Sequence, residues 1–279
     1  MSAPDPNCRR SRQDTSPTSC DTASVATRPQ RVGEWLGHLP HSRRLDDLAT
    51  HIDADDRALA VLLTGSWAHD MATEHSDIDL LVILARDSLS WRRDVRDGVD
   101  VQTMTLERLR HVPDDPGRWW DRYTFCRTRT LLDRSDGHVD ALLQRWCCLS
   151  PNEVLLALDF HLEAYLNYLY RSLKSHREGR MGLARLDASE SLTWALSLAF
   201  AVHGRVRPVN KYVAWELEHD PIDEAGWSAP EFLALLDAIL DTGDAGAQRA
   251  LFGLIEPPAR RLGYGGVIDG FSGLDLLRG

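Results

Sequence analysis

Apolar residues gather in two short runs early in the chain, Leu59 to Leu63 and Leu80 to Leu84. Short runs bounded by polar and turn-forming residues predict strands. From 99 to 104 the pattern alternates instead. Val99, Val101 and Thr103 take turns with Asp100, Gln102 and Met104, which predicts a strand carrying Asp100 on the face opposite the valines. Thr128 to Leu132 reads as a further strand, closed by the turn residues Arg134-Ser135-Asp136-Gly137. Helical spacing appears from His41 to Asp53, with Leu45, Leu48 and Ile52 on one side, and again from Val139 to Cys148. A short helix after Thr105 has that residue as its cap. Strands interleaved with helices predict an α/β unit over 31–149.

The pattern changes at Ser150-Pro151-Asn152-Glu153, which combines a Ser cap, Pro at the first helical position and Glu in the capping-box place. From there the periodicity is helical throughout. Val154 to His176 carries Leu155, Leu158, Leu162, Tyr165, Leu169 and Leu173, Gly182 to His203 ends at Gly204, and Phe232 to Leu240 follows a second Ser-x-x-Glu start at Ser228. The Gly-rich stretch from Gly263 to Gly273 reads as loop. An all-α helical bundle domain is therefore expected over 150–279. Residues 1–30 are rich in Ser, Thr, Pro, Asp and Arg and poor in large apolar side chains. Such a segment cannot bury enough surface to offset the entropy of ordering, so a disordered N-terminal tail is expected there.

Composition narrows the function. With 43% hydrophobic and 27% charged residues in 279, the chain reads as an ordinary globular protein. No apolar stretch reaches the length of a membrane span and no secretory leader is evident, so no membrane partner and a cytoplasmic location are expected. The formal net charge is −10. Nucleic-acid binders usually gain affinity from a basic surface, so this balance argues against a nucleic-acid partner and suits a small or cationic one.

The candidate chemistry lies where the two apolar runs meet their polar neighbours. Gly65-Ser66 ends the first run; Ser76 and then Asp77 and Asp79 open the second. Alternating with Ile78, the two carboxylates share one face of a strand. Like charges side by side need a strong counter-charge, and a hard cation such as Mg²⁺ is the usual one. A glycine allows close backbone approach, and a serine hydroxyl with nearby N–H groups suits a phosphate.

Gly-Ser, about ten residues, then Asp-x-Asp, set between two strands, resembles the signature of the polymerase-β-like nucleotidyltransferase superfamily. With a helical bundle behind it, the chain resembles the antibiotic nucleotidyltransferases, including the aminoglycoside adenylyltransferases. The resemblance is motif-deep over Leu59 to Met104 and architectural beyond Ser150. It implies an α/β nucleotidyltransferase domain with a mixed sheet, followed by the bundle. Asp77 and Asp79 would bridge two Mg²⁺ ions, one arriving with ATP or another nucleoside triphosphate. Asp100 would bind the second ion or take the proton from the attacking hydroxyl. Gly65, Ser66 and Ser76 would contact the nucleotide. Lys211 matches the lysine that such enzymes send across the cleft to the phosphates. The acceptor would be a small molecule seated between the domains.

Trp67-Ala68-His69-Asp70 departs from the pattern, which has a small residue, Arg and Gly after Gly-Ser. Asp70 tolerates a left-handed turn, Trp67 is expected to pack beneath the loop, and His69 stands where a cation would contact phosphate. Arg205 and Arg207 read as solvated. Arg185, Asp187 and Glu190 are candidates for holding a cationic acceptor, as are the acids from Glu216 to Glu224. Arg171 and His176 have the Arg-x₄-His spacing of HEPN ribonuclease toxins, though basic residues gather at helix ends for electrostatic reasons alone. Rival readings are a protein-modifying, antitoxin-like adenylyltransferase and a non-catalytic nucleotide-binding regulator.

Overall fold

The computed structural model describes residues 39–40, 43–88, 90–91 and 93–279. The expected tail over 1–30 lies outside the described residues. A five-stranded sheet has the order β3-β4-β2-β1-β5, with β1 Ala58–Thr64, β2 Ile78–Leu84, β3 Asp94–Arg96, β4 Val99–Thr105 and β5 Arg129–Asp133. The sheet is mixed: β2 and β4 run parallel, while β1 is antiparallel to both β2 and β5.

Each face has its own core. Leu80, Val82 and Leu84 of β2 and Val99 and Val101 of β4 pack with Leu45, Leu48 and Ile52 of α1 (Arg43–Ala54). Leu81 and Ile83 face the other way, onto Leu109, Phe125, Val139, Leu143 and Trp146. The alternation in sequence is thus the alternation of two cores. After α2, the single turn Gly65–Ala68, come α3 (Leu106–Leu109), a 3₁₀ segment (Pro116–Phe125) and α4 (His138–Cys147). Thr105 caps α3 by accepting the Arg108 N–H at 3.1 Å.

From Pro151 onward the named elements are helical: α5 (Pro151–Arg177), α6 (Met181–Ala201), α7 (Val213–His219), α8 (Ala229–Thr242) and α9 (Ala245–Ala259), then α10 (Gly265–Asp269) and α11 (Leu274–Arg278). The capping box at Ser150 forms: its hydroxyl accepts the Glu153 N–H, and the Glu153 carboxylate accepts the Ser150 N–H. At Ser228 it does not, because the hydroxyl donates to the Glu231 carboxylate instead. The Gly-rich end is not simply loop, since Gly265–Asp269 is helical. The apolar core of these helices also includes Trp119 and Tyr123 of the 3₁₀ segment, so it draws on residues from before Ser150. Among the described residues no helix is long and apolar enough to cross a membrane.

Arg122 joins the two parts of the chain. It is fully buried and donates to the Trp146, Arg145 and Cys148 carbonyls, and to the Glu153 carboxylate at 2.7 Å. It thereby satisfies the last carbonyls of α4 and fixes where α5 begins. Arg122→Ala would leave three carbonyls without that donor and the Glu153 carboxylate without its charged partner, holding only the Ser150 N–H. Urea unfolding should show a loss of about 3–5 kcal/mol, the usual cost of breaking a buried pair from one side. A loss below about 1 kcal/mol would mean that water replaces the guanidinium.

Candidate functional site

Parallel pairing of β2 with β4 sets Asp79 directly beside Asp100. Both carboxylates stand on the face of the sheet opposite Val99 and Val101, as the alternation predicts. Asp77 immediately precedes β2 and is exposed, while Asp79 is half-buried and Asp100 is buried. Burial pushes the Asp79 carboxyl above the ordinary carboxylate range, and the charges of Asp100 and Asp77 push it further. Lys211 and Arg93 pull the other way without cancelling the effect. Among the described residues, none donates a hydrogen bond to the Asp77 or Asp79 side chain.

Asp100 is better compensated. Arg93 grips it at 2.9 and 3.4 Å, and Gln102 donates at 3.4 Å. Among the described residues no three His, Cys, Asp or Glu side chains converge as a ready-made metal cage. The donor chemistry nevertheless fits a hard divalent cation. All three groups are carboxylates, two stand side by side, and Asp79 is half out of water with no hydrogen-bond donor.

Gly65 is the close neighbour of this pair. Its φ is +64°, and a Cβ built there would lie 2.1 Å from Asp79 Oδ2. No side chain fits between the loop and the acid, and the left-handed backbone excludes most L residues as well. Ser66 is buried, and its hydroxyl accepts a hydrogen bond from Lys211 Nζ at 2.6 Å, across 145 positions of sequence. The lysine proposed from the resemblance therefore sits at the Gly-Ser loop. Ser76 is used differently: its hydroxyl accepts the Thr73 N–H at 2.9 Å and shapes the loop that delivers Asp77.

The unusual residues after Gly-Ser also find places. Asp70 has φ +55°, the left-handed turn expected of it. Trp67 packs against the core under the loop and its Nε1 donates to the Ser76 carbonyl at 3.4 Å. His69 is 3% exposed, and burial pushes its pKa down, so near neutral pH it is no substitute for the missing cation.

Other candidates separate. Arg205 is not solvated: it pairs with Glu216 at 2.7 Å and with Asp220 at 3.2 Å. Arg207 donates to the Thr193 carbonyl, Ser197 and Asn210. Glu216 is 4% exposed and also takes two hydrogen bonds from Arg127 and one from Tyr123. Burial alone would raise its pKa, but Arg127, Tyr123 and Arg205 outweigh that and hold it ionised. Glu216 and Asp220 are thus internal partners and not free acids for a ligand. Asp187 and Glu190 have no ion-pair partner among the described residues. Arg171 lies over the Tyr168 ring.

A cavity of about 1140 Å³ lies in the sheet half, and Asp77, Asp79 and Asp100 are not among its lining residues. Arg93 and Gln102 line it near Asp100; Met104, Trp120, Asp121 and Thr124 continue its walls. Its lining residues all fall between Thr64 and Phe125, so this space belongs to the sheet half of the molecule.

No protein-family model matches the chain. No curated protein matches it either. Among solved structures it is similar to a nucleotidyltransferase-like protein from Exiguobacterium sibiricum 255-15, solved at 1.90 Å, with a TM-score of 0.29 and 16% identity over 79% of this chain and 76% of that one.

The half-buried charge on Asp79 has a measurable consequence. A carboxyl whose folded pKa is raised contributes stability while protonated and loses it as pH rises through that pKa. Asp79→Asn, lacking the charge, should therefore melt above wild type at pH 7 in metal-free buffer, and the two curves should converge in acid. Gly65→Ala should melt lower by at least the roughly 1–2 kcal/mol of left-handed strain. An Asp79→Asn variant that melts below wild type at pH 7 would show that the carboxylate is well compensated.

Proposed function

We propose that this chain is a Mg²⁺-dependent nucleotidyltransferase that moves a nucleoside monophosphate, AMP from ATP, onto a hydroxyl of a small, amine-bearing acceptor of the aminoglycoside kind. The observation that carries the reading is the register of Asp79 with Asp100, with Gly65 against the first acid and Lys211 on the neighbouring Ser66. Asp77, Asp79 and Asp100 would hold two Mg²⁺ ions, which supply charge neutralisation at the α-phosphate and the leaving pyrophosphate. The chain's own residues do the remaining work. Gly65 and Ser66 let the phosphates come close, and Lys211 brings a point charge to the same loop. Asp100 would bind the second ion or take the acceptor's proton, and the cavity along Gln102 and Met104 would give the acceptor room.

One feature supports a small cationic acceptor, the net charge of −10. The tie from Lys211 to Ser66 favours a two-part enzyme over a minimal antitoxin-like one, because the second half reaches the motif itself.

Purified protein incubated with labelled ATP, Mg²⁺ and an acceptor panel should transfer label to a small amine-bearing acceptor. Asp77→Asn and Asp79→Asn should each lower kcat by about 100-fold or more. Asp100→Asn should reduce kcat far more than nucleotide KM, and Lys211→Ala should mainly raise that KM. Transfer to a protein at full rate by residues 31–149 alone would replace this reading with the antitoxin-like one. Wild-type turnover in Asp79→Asn would remove it.

A further inference from the structure

The site as described leaves a buried imidazole unused. His69 lies under the Gly-Ser loop, with Nδ1 2.7 Å from the Gly65 carbonyl oxygen. A carbonyl only accepts, so Nδ1 carries the hydrogen and donates it. His69 stands at the C-terminal end of the single turn Gly65–Ala68, and its side chain ties that end back to the turn's first carbonyl.

The effect reaches the next residue. The Gly65 carbonyl and the Ser66 N–H belong to one planar trans peptide and point in opposite directions. Fixing the oxygen therefore fixes the aim of the N–H. At most positions neighbouring side chains would limit that plane's rotation, but Gly65 has no Cβ and sits at φ +64°, so little else holds it.

His69 is itself held by the second half of the chain. Its ring stacks on Tyr212 at 3.8 Å with planes 4° apart, and the edge of Trp215 meets it at 4.7 Å. Tyr123, from before Ser150, places its hydroxyl 3.2 Å from Nε2, and because that hydroxyl's one hydrogen goes to Glu216 the contact is packing and not a hydrogen bond. Glu216, Arg127 and Lys211 are the charged groups that act on it. Tyr212 follows Lys211 directly, so one short segment delivers a lysine to Ser66 and an aromatic wall to His69.

We propose that His69 is a positioning residue for nucleotide binding: by donating Nδ1–H to the Gly65 carbonyl, it aims the Ser66 N–H at the phosphate, beside Lys211. This rests on the nucleotidyltransferase reading and adds to it. A residue occupying the place of a phosphate-binding cation acts here by orienting a backbone dipole, with no charge of its own.

Three variants at this one position separate the hydrogen bond from the packing. In His69→Asn the amide nitrogen can occupy the place of Nδ1 and keep the donor. In His69→Gln a donor lies further out, near the place of Nε2. In His69→Phe the stack on Tyr212 remains without any donor. Equilibrium dialysis with labelled ATP and Mg²⁺ is the readout, with thermal melts in parallel to verify folding. ATP binding should weaken by about tenfold in Gln and Phe, the loss of roughly one hydrogen bond, and stay within about threefold of wild type in Asn. Equal binding by the Asn and Gln variants, or wild-type binding by Phe, would overturn the positioning role while leaving the enzyme reading intact. Folded wild-type protein that binds no nucleoside triphosphate would remove both.

Discussion

Two carboxylates held side by side on parallel strands are the constraint around which the rest of this site is built. Register leaves Asp79 and Asp100 no freedom to separate, because a one-residue slip of β4 would turn its valines out of their core. The repulsion is therefore permanent in the folded chain. The surrounding residues compensate for it: Arg93 covers Asp100, Lys211 stands close by, and the loop at Gly65 is stripped of side chain where it meets Asp79. What remains uncompensated is the half-buried Asp79, and that residual charge is the feature a divalent cation would answer.

The same electrostatic logic, with the sign satisfied, joins the two halves of the molecule. Glu216 brings a carboxylate into the interior, where Arg127, Arg205 and Tyr123 surround it. Arg122 does the converse, a buried cation among carbonyls and Glu153. Neither contact is strong evidence for stability, because desolvation takes back much of what pairing gives. Each does constrain geometry, since a buried charge tolerates few alternative arrangements. The pair at Glu216 orients α7, which presents Trp215 to the ring of His69, while Tyr212, the residue just before α7, stacks on it.

Much of this was legible in the residues, and the legible part is periodic. Alternation from Val99 to Met104 placed Asp100 on the correct face, and the Ser150 capping box marked the start of α5. Lys211 was readable only by resemblance, because nothing in a lone lysine says what it will touch 145 positions away. The 3₁₀ segment Pro116–Phe125 escaped notice because it lacks the 3.6-residue period of an α-helix, and with it went Arg122 and Tyr123. Strand β3 is three residues of mostly polar character, too short to pattern. Arg205 reads as solvated and Glu216 as an acid open to a ligand because burial of an ion pair depends on both partners being present, which is a property of the fold and not of either residue's neighbourhood in sequence.

The bond between Lys211 and Ser66 also orders events in time. A ribosome delivers the Gly-Ser loop long before the lysine; at synthesis rates of about 5–20 residues per second, those 145 positions take roughly 7–30 s. During that interval the sheet strands can pair while the loop has neither its cation nor the Tyr212 wall. A nascent chain thus carries the Gly-Ser loop without its lysine, and the contact between the two forms late, after most of the sheet already exists.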